Sequence, residues 1–184
     1  ALLFDNRYEV RRRALEVLGR IGEEHVVSAL VEALRDDDIG VRINAVRHLG
    51  SLATRQAVPQ LLDLLRSTQE LPLRRALITS LGAIGDPSAT PDLIASLSDP
   101  ELRSATSSAL AQLNDQVVEP LIACIHEPKT APETRDAAWS VLDTVGARAR
   151  PSDPTLYGVA ATYTQLRRDD HAVEEILDLT RGVA

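Results

Sequence analysis

Five segments of this chain repeat one another, and that periodicity limits its fold more than any other feature. VRRRALEVLGRIG begins at Val10, VRINAVRHLGSLA at Val41, LRRALITSLGAIG at Leu73, LRSATSSALAQLN at Leu102 and TRDAAWSVLDTVG at Thr134; the starts are 31, 32, 29 and 32 residues apart. Arginine is second in every copy (Arg11, Arg42, Arg74, Arg103, Arg135) and leucine ninth (Leu18, Leu49, Leu81, Leu110, Leu142). Positions 1, 5, 9 and 12 are mainly apolar, which draws one stripe along an amphipathic helix. The fifth residue (Ala14, Ala45, Leu77, Thr106, Ala138) is mostly small, so a neighbouring helix can come close. Gly22, Gly85, Asn114 and Gly146 stand thirteenth and read as helix ends, because they tolerate positive φ.

A second helical pattern lies between the copies: VVSALVEAL over 26–34, AVPQLLDLL over 57–65, ATPDLIASL over 89–97 and VVEPLIACI over 117–125. Asp86 followed by Pro87 reads as an N-cap and first-turn proline. Pro59, Pro91 and Pro120 fall at near-equivalent places, where a lost backbone donor is expected to bend each helix. The unit is helix, short turn, helix. One such pair cannot bury both of its apolar faces, so pairs must stack into a continuous core. With aromatics at 3% of the chain, Leu, Ala, Val and Ile do that packing. The expected fold is all-α: a superhelical solenoid of about five helix pairs over 1–147, with a C-terminal helical cap over 148–184. Residues 1–9 read as the tail of an earlier helix, which suggests an array that continues upstream. The cap follows the breaker-rich run from Arg148 to Pro154 and holds two helices, near 155–168 and 170–181, that leave the repeat pattern.

Asp36-Asp37-Asp38-Ile39-Gly40-Val41-Arg42, with Ala45, Leu49 and Gly50 after it, resembles the HEAT repeat, in particular the short HEAT-like type named after phycobilisome lyases. The resemblance covers about residues 1–147. It implies a ladder in which turn acids and helix arginines join successive repeats. Asp5 with Arg11 and Asp36 with Arg42 match its spacing; Asp99 precedes Arg103, and Glu127 precedes Arg135. The third copy has Ser67 where the acid belongs and a longer turn, Thr68-Gln69-Glu70-Leu71-Pro72, so the ladder is expected to break there. The resemblance also implies that the second helix of each pair lines the concave side. Positions 3, 7 and 11 share one face of those helices. That face gives the candidate partner-binding stripe: Arg12, Glu16, Arg20, Arg47, Arg75, Thr79, Gln112, Asp136 and Ser140. It is basic at its N-terminal end and acidic at the far end, which suits a protein partner with an acidic segment at the basic end.

Catalytic patterns are absent from the sequence. His25, His48, His126 and His171 fall in different repeats, and none forms an H-E-x-x-H pair. Cys124 and His126 are two residues apart, so a helix points them in different directions, and a packed thiol is the expected role of Cys124. The run Asp36-Asp37-Asp38 reads as helix capping rather than a cation site, and Trp139 as core packed against the cap. No catalytic, metal or cofactor residue is therefore assigned. Net charge is −7, which disfavours nucleic acid as a partner. No apolar run is long enough to span a membrane, and one cysteine fits a reduced, cytoplasmic setting. The main reading is a non-enzymatic protein-interaction scaffold or adaptor. The alternative is a subunit of a bilin lyase-like enzyme acting on phycobiliproteins.

Overall fold

The computed structural model describes residues 5–21 and 24–148; within them all regular structure is helical, with no strand. The helices are α1 (Tyr8–Ile21), α2 (Glu24–Ala33), α3 (Ile39–Ser51), α4 (Val58–Ser67), α5 (Leu71–Ile84), α6 (Thr90–Ser96), α7 (Arg103–Gln112), α8 (Val118–His126) and α9 (Pro132–Arg148). The odd helices carry the five repeated segments and pack in order, α1 on α3, α3 on α5, α5 on α7 and α7 on α9. The even helices form a second layer, each packed against the odd helix that follows it. Odd helices press on one another more closely than even ones do. Beyond Arg148, the cap expected over 148–184 lies outside the described residues.

The repeated positions hold one core. Leu49, Leu81 and Leu110 are fully buried and Leu142 nearly so, as are the fifth residues Ala45, Leu77, Thr106 and Ala138. The Leu18 side chain is outside the description. Close approach is built in at two glycines. A Cβ on Gly50 would stand 2.6 Å from the Ser80 hydroxyl, and one on Gly82 would stand 2.6 Å from the Ala109 backbone. Trp139 is buried, so its expected place in the core is met.

Position 13 does end its helix by positive φ in three copies, at Ala53 (49°), Gly85 (69°) and Asn114 (55°). Ala53 bears the Cβ penalty that glycine avoids at the same place. Gly146 departs from this pattern, because α9 runs on to Arg148 and encloses it. The prolines also act differently from the sequence expectation. Each follows a 3₁₀ turn (Arg55–Ala57, Pro87–Ala89 and Asn114–Val117) and sits second or third in α4, α6 and α8. First-turn N–H groups have no helical acceptor, so Pro59, Pro91 and Pro120 cost no hydrogen bond and start helices instead of bending them. Asp86 caps as expected, accepting from Ser88 N–H at 3.0 Å.

The arginine ladder is present and runs forward along the chain. Arg11 donates twice to Asp36 at 2.7 Å, Arg42 to Glu70, and Arg74 to Asp99 at 2.8 Å. Arginines at this position also hold their own turns, Arg74 excepted, whose buried Nε has no hydrogen-bond partner. Arg11, Arg42 and Arg103 donate to the carbonyl six residues back, at Asp5, Asp36 and Leu97. The expected break in the third copy does not occur. Thr68, not Ser67, fills the acid's place there: its Oγ1 accepts from the N–H of Glu70, as Asp5, Asp36 and Asp99 accept from the N–H two residues on. Glu70 then supplies the carboxylate. The turn is also shorter than expected, because Leu71 and Pro72 already belong to α5. Among the described residues the ladder stops one repeat later: Arg103 holds its own turn through the Leu97 carbonyl and makes no forward bond.

This pairing sets an acid dependence. The hydrogen bond from Arg11 holds the Asp36 carboxyl below its ordinary value of 3.8, against the opposing effect of burial. A carboxyl with a lowered folded-state pKa stabilises the fold fully above its unfolded pKa and loses that contribution as pH falls below it. Melting temperature measured from about pH 7 down to about pH 3 should therefore fall on the acid side. Arg11→Gln should lower the neutral-pH plateau and flatten the acid arm; an unchanged acid arm would show that the Asp36 pair contributes nothing.

Candidate protein-binding face

On the odd helices the apolar positions face the stack, which leaves positions 3, 7 and 11 outward as the candidate stripe. Arg12, Arg47, Arg75, Thr79, Gln112, Asp136 and Ser140 are all exposed. The side chains of Glu16 and Arg20 lie outside the description. Ile43, the remaining third-position residue of the N-terminal half, is half-buried and packs against the core. In the middle of the stripe the hydroxyls turn back on their own helices. Thr79 donates to the Arg75 carbonyl at 2.9 Å, Ser108 to Ser104 at 3.0 Å and Thr144 to Ser140 at 2.9 Å. Those groups have little left to offer a partner as donors. The charges are basic at Arg12, Arg47 and Arg75 and acidic at Asp136.

Between α3 and α5 this face opens into a groove of about 580 Å³. The stripe residues Ile43, Arg47 and Ser51 line one wall, and Arg75, Thr79 and Ala83 the other. Leu71 and Pro72 also line it, and Gly50 and Ser80 lie where the two helices nearly touch. Sequence reasoning missed Leu71 and Pro72 because it placed them in the turn. The signal was available, since proline is favoured at the start of a helix. The lining contains two arginines and no Asp, Glu, His or Cys. Its lining offers the hydroxyls of Ser51, Thr79 and Ser80 but no acid–base side chain beside them to activate one.

Other charged residues are spent on the fold. Asp38 caps α3, accepting from Val41 N–H at 2.9 Å, while Asp36 is taken by Arg11. A second cleft, of about 210 Å³ beside the turn at Thr68, is lined by Arg66, Asp92 and Arg74. Its charges are already matched, Arg66 with Asp92 and Arg74 with Asp99. Cys124 is half-buried, and its carbonyl accepts from the Thr130 hydroxyl at 2.7 Å. Burial, with a smaller contribution from Arg135, pushes the His126 imidazole below its usual value. Among the described residues no three His, Cys, Asp or Glu side chains are placed to share a metal ion, and no helix is long and apolar enough to cross a membrane.

Comparison with known proteins agrees with this architecture. The model of the family described as HEAT repeats matches three overlapping stretches, residues 1–78, 27–104 and 58–143. Deoxyhypusine hydroxylase from Bos taurus is 35% identical over 104 residues, 56% of this chain and 34% of that protein. The bilin biosynthesis protein PecE from Mastigocladus laminosus is 35% identical over 99 residues, 50% of this chain and 36% of that protein. The matches therefore span about a third of the length of each of these relatives. Among solved structures, the complex of CpcE and CpcF of phycocyanin lyase from Nostoc sp. superposes with a TM-score of 0.61 at 24% identity, covering 84% of this chain and 64% of that one. At that identity the superposition shows a shared fold. The family model covers residues 1–143 in overlapping matches, and the described helix pairs and forward ladder agree with it: the chain belongs to the HEAT-repeat family.

Proposed function

We propose that this chain is the repeat segment of a bilin lyase-like subunit, whose concave face holds a protein partner. The similarity to PecE, 35% over half of the chain, carries this reading. It favours the lyase alternative over the free-standing scaffold that the repeats alone suggested. The composition of the groove supports a holding role, since its walls offer arginines and apolar surface without an acid–base group. The stripe from Arg12 through Arg47, Arg75, Thr79 and Gln112 to Asp136 and Ser140 is the partner-binding surface in this reading, with Glu16 and Arg20 extending it. An acidic segment of the partner is the natural complement of its basic end. A cytoplasmic setting belongs to the same reading and fits a single free cysteine.

The test is to titrate the full chain with a linear tetrapyrrole bilin and, separately, with phycocyanin, following bilin absorption and complex formation by sedimentation. A saturable spectral shift or a defined complex with phycocyanin is expected. The absence of both would overturn the lyase reading and return the chain to the general scaffold class. Trp139→Ala, an obvious probe for pigment stacking, is unsuitable because Trp139 is buried and its loss would disturb the fold. Charge reversals on the exposed Arg47 and Arg75 test the face without touching the core.

A further inference from the structure

We infer that the groove between α3 and α5 is a docking site for an extended acidic segment of a partner protein. In that segment an apolar side chain is flanked by carboxylates. The inference rests on the reading that the concave face holds a protein, and it assigns the chemistry of one stretch of that protein. Three observations carry it together. The groove is walled by apolar groups, with Ile43 and Leu71 partly buried against the core beneath them and Ala76 and Ala83 adding small surfaces between. Arg47 and Arg75 both line it and are exposed, while no acidic side chain lines it at all. This occurs in a chain of net charge −7, so the local sign opposes that of the whole molecule.

The two arginines are placed to receive anions. Arg75 gives one N–H to the Glu101 carbonyl at 3.1 Å, which anchors the guanidinium of an otherwise exposed side chain. Arg47 stands on the facing helix four residues from Ile43, so its charge lies one helical turn along the same wall as the apolar contact. A guanidinium binds a carboxylate through paired N–H donors, and exposed pairs of this kind mainly set association rate and selectivity. The apolar walls supply the contact that electrostatics alone does not. At about 580 Å³ the groove takes a few side chains, not a folded domain. A helix lying in it would compete with the closely packed α3 and α5, whereas an extended segment can place alternate side chains on the floor and on the arginines.

The experiment uses the full chain and two fluorescein-labelled eight-residue peptides, one alternating glutamate with leucine and its counterpart with glutamine for each glutamate. Fluorescence anisotropy should show saturable binding of the glutamate peptide that weakens with added salt. The glutamine peptide should bind about tenfold or more weakly. R47E and R75E should each weaken the glutamate peptide about tenfold, and Ala83→Trp, which fills the groove from an exposed position, should do the same with an unchanged melting temperature. Equal binding of both peptides would overturn the proposal, as would a glutamate peptide that does not saturate by about 1 mM. Unaltered binding to Ala83→Trp would place the site elsewhere and equally overturn it. The peptide signal is independent of pigment, so failure of both the bilin and the phycocyanin titrations with success here would reject the lyase reading while keeping the groove.

Discussion

Leu81→Ala is expected to lower the unfolding free energy by about 2–5 kcal/mol, the range for deleting a large buried aliphatic side chain. Leu81 is fully buried at the ninth position of α5, and α5 packs on both α3 and α7. A cavity there removes contacts from two interfaces at once, and the flanking helices cannot collapse into it without breaking the close approach at Gly50 and Gly82. Leu142, the same position in α9, is 5% exposed, and among the described elements α9 packs on α7 and α8. Urea denaturation followed by circular dichroism should therefore show a smaller loss for Leu142→Ala than for Leu81→Ala. A Leu81→Ala protein within about 1 kcal/mol of the parent would mean that the ninth position does not anchor the stack.

The second large effect has a sign that helix propensity gets wrong. Gly82 lies inside α5, where replacing glycine by alanine ordinarily gains about 1 kcal/mol. Here the added methyl would stand 2.6 Å from both Cα and Cβ of Ala109 on α7. Backbone cannot rotate away as a side chain can, so the helices must separate, and their apolar seam must loosen with them. Overpacking of this kind costs about 1–3 kcal/mol, enough to exceed the propensity gain. Gly82→Ala should thus melt below the parent protein by differential scanning calorimetry. A stabilised Gly82→Ala would show that α5 and α7 have room to spare.

The layered fold was readable in the sequence because two positions speak for it in every copy. Leu49, Leu81 and Leu110 recur with the period of the stack, and their burial follows from that recurrence alone. Local geometry was less readable. Pro59 and Pro91 look like interior breakers until the preceding 3₁₀ turns are known, since those turns move the helix start up to the proline. Thr68 was hidden because an aligned acid was sought, whereas the structure needs an acceptor for the N–H of Glu70, which a hydroxyl also provides. The stripe's exposed residues could be named from helical spacing, as Arg47, Arg75 and Thr79 show. Their union into one groove could not, because it depends on Leu71 and Pro72 belonging to α5 and on the contact of Gly50 with Ser80.

The forward direction of the arginine ladder also decides where this array is least tied together. Arg11, Arg42 and Arg74 each reach into the next repeat, so the first three junctions carry a polar clasp in addition to their apolar contact. Arg103 donates one N–H to the Leu97 carbonyl within its own turn, and among the described residues it makes no bond into the following repeat. In a nearest-neighbour chain of units, opening begins at the weakest coupling. The seam between α7 and α9 lacks the arginine clasp of the first three junctions, so it is expected to open before the α3–α5 junction that holds the groove. Strain applied at the C-terminal end would be released at this seam before it reached the groove.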